Sequence, residues 1–271
     1  MLNRIRHLFW RLIGRLGRIA GNTFVYVLEL MYFTFSVIFE SKRHGLLRDK
    51  ATRTATLHQV IFSGIDSLPS VLFLSVLIGI SIAAQFFVTI DLLGEDEEMI
   101  RLLARLVALE LGSLLTAFVL IGRSGSAITV DLGNMKVNRE LDGLVALGID
   151  VNRLFVFPRL LGLVVSQLVL AVFFTTIALL SGMIFNAFME SSSLIKYMAM
   201  LPSAFLPIEL AVFMLKNLAF GLMIGATACF HGLKVGHSVT EVPQAAQRAI
   251  MQATLMVIVI DFVMMLVLQV L

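Results

Sequence analysis

The stretch FPRLLGLVVSQLVLAVFFTTIALLSGMIF, residues 157–185, decides the fold class of this chain. Its one charged residue is Arg159, close to its start. About 20 apolar residues are enough for a helix to cross the hydrocarbon core of a bilayer. Only helices and closed barrels satisfy their backbone hydrogen bonds in lipid, and this run is too long for a barrel strand. The stretch therefore predicts a transmembrane helix that is long enough to tilt.

Four other runs have the same character, and the composition of the whole chain agrees with them. Of the 271 residues, 59% are hydrophobic and 14% are charged, whereas soluble domains carry about 25% charged residues. The predicted class is an all-α integral membrane protein with five transmembrane helices. With the quoted stretch as the third, the predicted spans are residues 68–90, 101–121, 157–185, 206–230 and 250–271.

The first 60 residues are expected to lie against the membrane. Residues 1–20 place arginines on one helical face and apolar residues on the other, which predicts a basic amphipathic interfacial helix. A solvated basic tail is the main alternative, and no basic domain follows that would favour nucleic-acid binding. Residues 21–60 are expected to form a membrane-associated elbow helix, interrupted by Glu29, and a polar connector. Residues 61–271 then form the five-span domain.

The placement of Lys and Arg predicts the orientation of the spans. Ten of the 21 Lys and Arg residues precede residue 68, whereas the loop after the first span carries five carboxylates between residues 91 and 98. The N-terminus, residues 122–156 and residues 231–249 are therefore expected on the cytoplasmic side. An odd number of spans places the C-terminus on the other side.

Residues 122–158 form the most informative segment between two spans. It opens with small residues, of which Gly122, Ser124 and Gly125 are expected to form a tight helix-to-helix turn. It then becomes amphipathic, as suits a helix that docks onto a partner protein. Connections in compact domains are usually about 4–6 residues, so a connection this long and this patterned indicates a function.

Several short motifs lie in and around this segment. They are ALELG at 108–112, GRSGSAIT at 122–129, LGNMKV at 132–137, ELDGLVALGID at 140–150, FPR at 157–159, FG at 220–221 and DF at 261–262. Together they are similar to the signature of MlaE-type permeases of ABC lipid transporters. The resemblance covers roughly residues 59–271 and includes Gln85 and Lys216. Two positions depart from the family pattern, because Leu109 stands where an Arg is usual and Ser113 stands where a Pro is usual.

The resemblance implies a coupling helix between the second and third spans, which sits in a groove of an ABC ATPase. It further implies a permease dimer in the bacterial inner membrane, an MCE-domain protein on the periplasmic side, and phospholipid or a similar lipid as the substrate. This chain has no Walker A sequence, so it is expected to be no enzyme and to bind no cofactor, while its partner binds ATP and Mg. The implied ATPase contacts are Arg139, Glu140, Asp142, Leu144, Leu147 and Gly148.

Charged side chains inside the spans are the candidate substrate site, because such groups are costly in a membrane and functional by default. Glu110, Lys216 and Asp261 are predicted at similar depth. They could pair with one another to serve transport, or they could only lock the packing of the helices. The predicted substrate pathway consists of Gln85, Glu110, Glu209, Lys216 and Asp261.

Two other classes of function stay open at this point. Ser124 and His231 could form the serine–histidine pair of an intramembrane protease, although the residues after Ser124 match the permease pattern. A secondary transporter that needs no ATP would be favoured by inverted repeats, and the sequence shows no internal repeat. His231, His237 and Glu241 lack the spacing of a usual metal site and are interpreted as loop residues, so no metal site is predicted.

Overall fold

The computed structural model describes residues 25–40, 50–93, 105–189, 206–236 and 238–270, and within these ranges the chain is helical with no strand. In the described ranges, five helices are long and apolar enough to cross a membrane. This confirms the predicted class of an all-α membrane protein with five spans. The candidate spans are Lys50–Gln85, Leu109–Val137, Asn152–Phe188, Pro207–Leu233 and Glu241–Leu268.

Short irregular segments divide the spans into shorter helices. A 3-10 turn, Ile65–Ser67, separates the first two helices of the first span. Three π-helical segments lie elsewhere, at Leu106–Leu111, Ile121–Gly125 and Asn152–Val156. The helices are α1 (residues 25–40), α2 (Lys50–Ser63), α3 (Leu68–Leu93), α4 (Gly112–Leu120), α5 (Ser126–Val137), α6 (Glu140–Ala146), α7 (Phe157–Met189), α8 (Pro207–Leu233) and α9 (Glu241–Val270).

The predicted turn at Gly122, Ser124 and Gly125 is wrong. The second span continues through the π-helical segment Ile121–Gly125 into α5 and ends at Val137. The small residues do not end the helix here, and two hydroxyls hydrogen-bond to its carbonyl oxygens. Ser126 donates to the carbonyl oxygen of Gly122, and Thr129 donates to that of Gly125. The chain turns instead at Asn138–Arg139, where Arg139 has a φ of 58°.

The other span boundaries also differ from the predicted ones. The first helix of the first span, α2, occupies residues that were expected to be a polar connector. The third and fifth spans begin earlier, at Asn152 and Glu241. These extensions are amphipathic, so a search for continuous apolar runs does not include them. The interfacial helix predicted for residues 1–20 lies outside the described residues.

Helix α7 packs against α2, α3 and α8 and forms the centre of the bundle. Its contact with α8 is close because Gly221 has no side chain. A Cβ added there would lie 2.5 Å from Val164 Cα and 2.8 Å from the carbonyl oxygen of Leu163. One turn further along α8, Gly225 meets Leu160 in the same way. Small residues four apart allow such close approach of helices in membranes.

The outer surface of the bundle is apolar, most of all on α9. Leu255, Val259 and Phe262 expose 60%, 57% and 61% of their surface. In a water-soluble monomer a continuous apolar patch of this kind is rare and marks an interaction surface or a membrane. This surface agrees with a multi-pass membrane protein.

Candidate functional site

A charged cluster lies inside the bundle, where three spans meet. The Lys216 ammonium on α8 donates a hydrogen bond of 2.9 Å to Glu110 Oε2. It also forms an ion pair with Asp261 Oδ1 on α9, at 3.0 Å. The side chain of Lys216 is only 3% exposed. The structure therefore brings together the three intramembrane charges whose pairing the sequence suggested, as one ammonium between two carboxylates.

The backbone around Glu110 is π-helical over Leu106–Leu111. A π-turn holds more residues per turn than an α-helix, and such turns are frequent at functional sites. The LVALEL sequence carries no sign of it, since these residues are all compatible with an ordinary α-helix.

A second ion pair lies nearer the beginning of α8. Glu209 accepts a hydrogen bond of 2.9 Å from the backbone N–H of Leu206, so it caps the helix. It also lies 3.3 Å from Arg105 Nε, and its side chain is 8% exposed. Arg105 was not predicted as a site residue. It precedes the predicted Glu110 by five residues, and only the fold shows that it faces α8.

A small cavity of about 10 Å³ separates the two ion pairs. This is room for about one water-sized sphere. It is far too small for a lipid headgroup. The cavity is lined by Leu109, Glu110, Glu209, Val212, Phe213, Lys216, Met264 and Leu268.

Gln85, the remaining predicted pathway residue, lies apart from this cavity. It is on α3, has an exposed side chain and does not line the cavity. Four of the five predicted pathway residues therefore lie in the two ion-pair groups around this cavity, namely Glu110, Glu209, Lys216 and Asp261. Gln85 is not among the residues that line it.

A network of neutral side chains lies directly beside the charged cluster. Gln167 on α7 donates from Nε2 to the Asn217 side-chain oxygen at 2.9 Å and to the carbonyl oxygen of Ser113 at 3.1 Å. Asn217 donates from Nδ2 to Ser113 Oγ and to the carbonyl oxygen of Phe213, each at 2.9 Å. Ser113, Gln167 and Asn217 are fully buried. Sequence reasoning missed this network, although an amide in the middle of a span is itself a signal.

The predicted coupling segment forms a separate surface at the other end of the second span. The short helix α6 follows the turn at Arg139, and Gly148 beyond it has a φ of +77°. Leu141 is buried and Leu144 is half-buried, whereas Leu147 is 78% exposed and Val145, which was not predicted, is 61% exposed. The predicted acidic residues are exposed as well: Glu140 accepts from Asn138 Nδ2 at 3.2 Å, and Asp142 pairs with Lys136 at 2.9 Å.

Two contacts fix this segment to the bundle. Asp150 accepts hydrogen bonds from the backbone N–H groups of Asn152 and Arg153 at 2.9 and 3.3 Å, which starts the third span. Arg159 on α7 pairs with Asp131 on α5. The segment therefore leads directly into the third span, and an ion pair joins the second span to the third.

The residues of the protease alternative do not form a catalytic pair. Ser124 Oγ is buried and has no hydrogen-bond partner among the described residues. His231 Nε2 lies instead 2.5 Å from Gln252 Oε1 and 3.3 Å from the Tyr26 hydroxyl. Burial raises the pKa of Tyr26, so this hydroxyl stays protonated. A nucleophilic serine needs a base within hydrogen-bond reach, and this histidine is engaged elsewhere.

Comparison with known proteins gives consistent matches. Residues 56–267 match the family described as Permease MlaE. The intermembrane phospholipid transport system permease protein MlaE of Haemophilus influenzae is 26% identical over 74% of this chain and 77% of that protein. A probable ABC transporter permease protein of Rickettsia conorii is 20% identical over 84% of this chain and 88% of that protein. The chloroplastic TRIGALACTOSYLDIACYLGLYCEROL 1 protein of Arabidopsis thaliana is 26% identical over 81% of this chain and 63% of that protein.

Proposed function

The chain belongs to the MlaE permease family, and from that premise we propose that it is the membrane-spanning subunit of an ATP-driven transporter that moves phospholipid between the inner and outer membranes of a bacterium. The observation that carries the proposal is the cluster of Lys216 with Glu110 and Asp261 inside the membrane-spanning helices. Buried charges of this kind mark substrate pathways in membrane proteins. They have no evident use in a protein that only anchors others to the membrane.

The chemistry of the cluster suits a phospholipid headgroup. The phosphate is an anion that an ammonium can bind by charge-assisted hydrogen bonds, in place of one of its two carboxylate partners. Apolar side chains around the cluster suit the acyl chains. Because the cavity beside Lys216 has a volume of only about 10 Å³, a headgroup enters only after α9 or α8 moves.

The partners follow from the family and from the exposed surface of α6. ATP and Mg bind to a separate ABC ATPase that contacts α6 from the cytoplasm, while this chain binds no cofactor and catalyses no reaction. Two copies of the chain form the permease, and an MCE-domain protein receives or delivers lipid on the periplasmic side. The exposed Leu147 and Val145 support the ATPase contact, since apolar side chains in such positions favour a protein partner. The complex resides in the inner membrane with its N-terminus in the cytoplasm.

Transport by the reconstituted complex tests the proposal. The chain, its ATPase and its MCE-domain partner are placed in vesicles that contain labelled phospholipid. We expect ATP-dependent movement of the label, and loss of most of it in Lys216→Met. A complex that hydrolyses ATP but moves no phospholipid in either direction contradicts the proposal.

An exposed ion pair supplies the matched control. Lys234, the residue directly after α8, lies 2.6 Å from Glu29 Oε2, and the two side chains are 56% and 50% exposed. Exposed pairs contribute little to stability. Lys234→Met, the same substitution at the end of the same helix, should therefore transport phospholipid at close to the wild-type rate.

A further inference from the structure

Two members of the buried network of Ser113, Gln167 and Asn217 lie close in sequence to residues of the charged cluster. Asn217 follows Lys216 directly on α8, and Ser113 lies three residues after Glu110 at the beginning of α4. Gln167 reaches both of them from α7. The network thus joins the two spans that carry Lys216 and Glu110 to the central helix of the bundle.

The network favours one relative position of these helices. Its side chains are completely buried, and a buried donor or acceptor without a partner is costly. Of the amide atoms in the network, Gln167 Oε1 is the one without a partner among the described residues. Four hydrogen bonds of 2.9–3.1 Å use both donors of Asn217 and connect Gln167 to each of the other helices. Hydrogen bonds weaken steeply when their geometry is poor. A rotation or slide of α8 against α4 would therefore break several of them together.

We propose that Ser113, Gln167 and Asn217 are positioning residues that hold the Lys216 ammonium in register with the Glu110 carboxylate. The proposal rests on the proposed function, because it assigns these residues to the same transport site. Lys216 has a long, flexible side chain, so the ion pair by itself does not fix the helices. The hydrogen-bonded amides fix the backbones of α8 and α4 relative to each other. The ammonium of Lys216 and the carboxylate of Glu110 are then held within hydrogen-bond distance.

The rival interpretation is that the network only stabilises helix packing. The two interpretations differ for a variant in which all three residues become apolar, namely Ser113→Ala, Gln167→Met and Asn217→Leu. Replacing every partner by an apolar group of similar shape can restore stability, because no donor is left unsatisfied. Packing alone would then leave the Glu110–Lys216 interaction intact, whereas loss of positioning would weaken it.

The experiment is a double-mutant cycle on the full-length purified protein, read by thermal unfolding rather than by transport. Glu110→Gln, Lys216→Met and their combination are measured in the wild-type background and in the triple apolar variant. The part of the Tm shift that is not additive reports the interaction between the two side chains. We expect this coupling to fall to about half or less in the triple variant. Unchanged coupling overturns the proposal.

A matched control uses a hydrogen bond between the same two spans, far from the cluster. Thr129 on α5 is fully buried and donates to the carbonyl oxygen of Ala228 on α8 at 3.1 Å. Thr129→Val removes this bond and should leave the Glu110–Lys216 coupling unchanged. If the coupling falls as much in the Thr129→Val background as in the triple variant, the proposal is also overturned. The loss of coupling would then follow from destabilisation of the whole bundle.

Two further arrangements keep the result decisive. If the triple variant does not accumulate, the cycle is run on Asn217→Leu alone, which removes three of the four hydrogen bonds, including the direct bond between α8 and α4. Full coupling there contradicts the proposal. Because the cycle reads stability, it gives the same answer whether or not the wild-type complex moves phospholipid. Failure of the proposed function and failure of the positioning role are therefore separate outcomes.

Discussion

At the scale of single residues, the position of Lys216 is the most consequential. Its side chain is 3% exposed and lies within 3.0 Å of two carboxylates from other spans. Removing one partner of such a pair leaves a buried charge without compensation, which costs about 3–5 kcal/mol. Lys216 has two carboxylate partners, so removal of Glu110 still leaves it paired with Asp261, whereas removal of Lys216 leaves both carboxylates without a cation. Single and double substitutions therefore report different things.

We expect Lys216→Ala to reduce the yield of intact protein most, the double substitution with Glu110→Ala to reduce it less, and Glu110→Ala alone to reduce it least. The physical reason is that Lys216→Ala leaves two carboxylates without a cation, the double variant leaves only Asp261 without one, and Glu110→Ala leaves the Lys216–Asp261 pair in place. Lipid transport and yield of the complex are measured for all three variants. A double variant that is worse than both single variants would mean that the side chains contact lipid separately.

Ser124 is the residue whose role the sequence left most open. Its hydroxyl is buried without a hydrogen-bond partner among the described residues, so Ser124→Ala should leave the free energy of unfolding unchanged or raise it by about 1 kcal/mol. Transport should stay at the wild-type level. The matched control is Ser67→Ala, because the equally buried Ser67 hydroxyl accepts a hydrogen bond of 2.7 Å from Arg123 and its loss should destabilise the protein. Complete loss of function in Ser124→Ala with normal stability would revive the protease hypothesis.

At the scale of single elements, α6 presents apolar side chains that suit contact with a partner protein. Leu147 and Val145 are exposed while Leu141 anchors the helix. We expect Leu147→Asp to leave the fold intact and to reduce copurification of the ATPase strongly, because a carboxylate cannot enter an apolar interface without large desolvation cost. Replacing both Glu140 and Asp142 by Lys should also reduce copurification of the ATPase. Val239→Asp, at a position that is 67% exposed outside α6, is the control and should retain the ATPase.

The contact between α7 and α8 gives a sharper test of packing. Gly221→Leu should abolish accumulation of folded protein, because even a Cβ at this position overlaps the backbone of Val164. Gly122→Ala is the control, since an added Cβ there meets nothing within 4 Å. Replacing a helical glycine by alanine should stabilise the protein by about 0.5–1 kcal/mol. Equal yields of the two variants in the membrane fraction would contradict the close packing.

The elements also show how far the sequence alone could reach. Long apolar runs such as residues 157–185 predicted five spans correctly, because crossing a bilayer imposes a minimum length. The predicted turn at Gly122–Gly125 was wrong because small residues permit a turn and close helix packing equally well, and the partner helix decides which. Glu110, Lys216 and Asp261 could be found because charge in a span is rare. Gln167 and Asn217 could not be joined to them, since only the folded bundle shows which neutral groups face one another.

At the scale of the whole molecule, the distribution of Lys and Arg predicts how the chain is oriented in the membrane. An epitope inserted at the exposed turn Asn138–Arg139 should be reached by antibody only after the inner membrane is broken, and one at the C-terminal end should be reached from the periplasm. The reason is the excess of Lys and Arg on one side of the spans. Accessibility in spheroplasts before and after lysis measures it. Equal access of both epitopes in intact spheroplasts would contradict an odd number of spans.

The complete burial of Cys229 in α8 has a practical consequence. The chain has no other cysteine, so the native protein should be inert to maleimide. Any dye that couples to the unaltered protein then counts molecules whose bundle has opened, and the natural thiol becomes a built-in reporter of unfolding. Every destabilised variant can be assayed in its own membrane without purification.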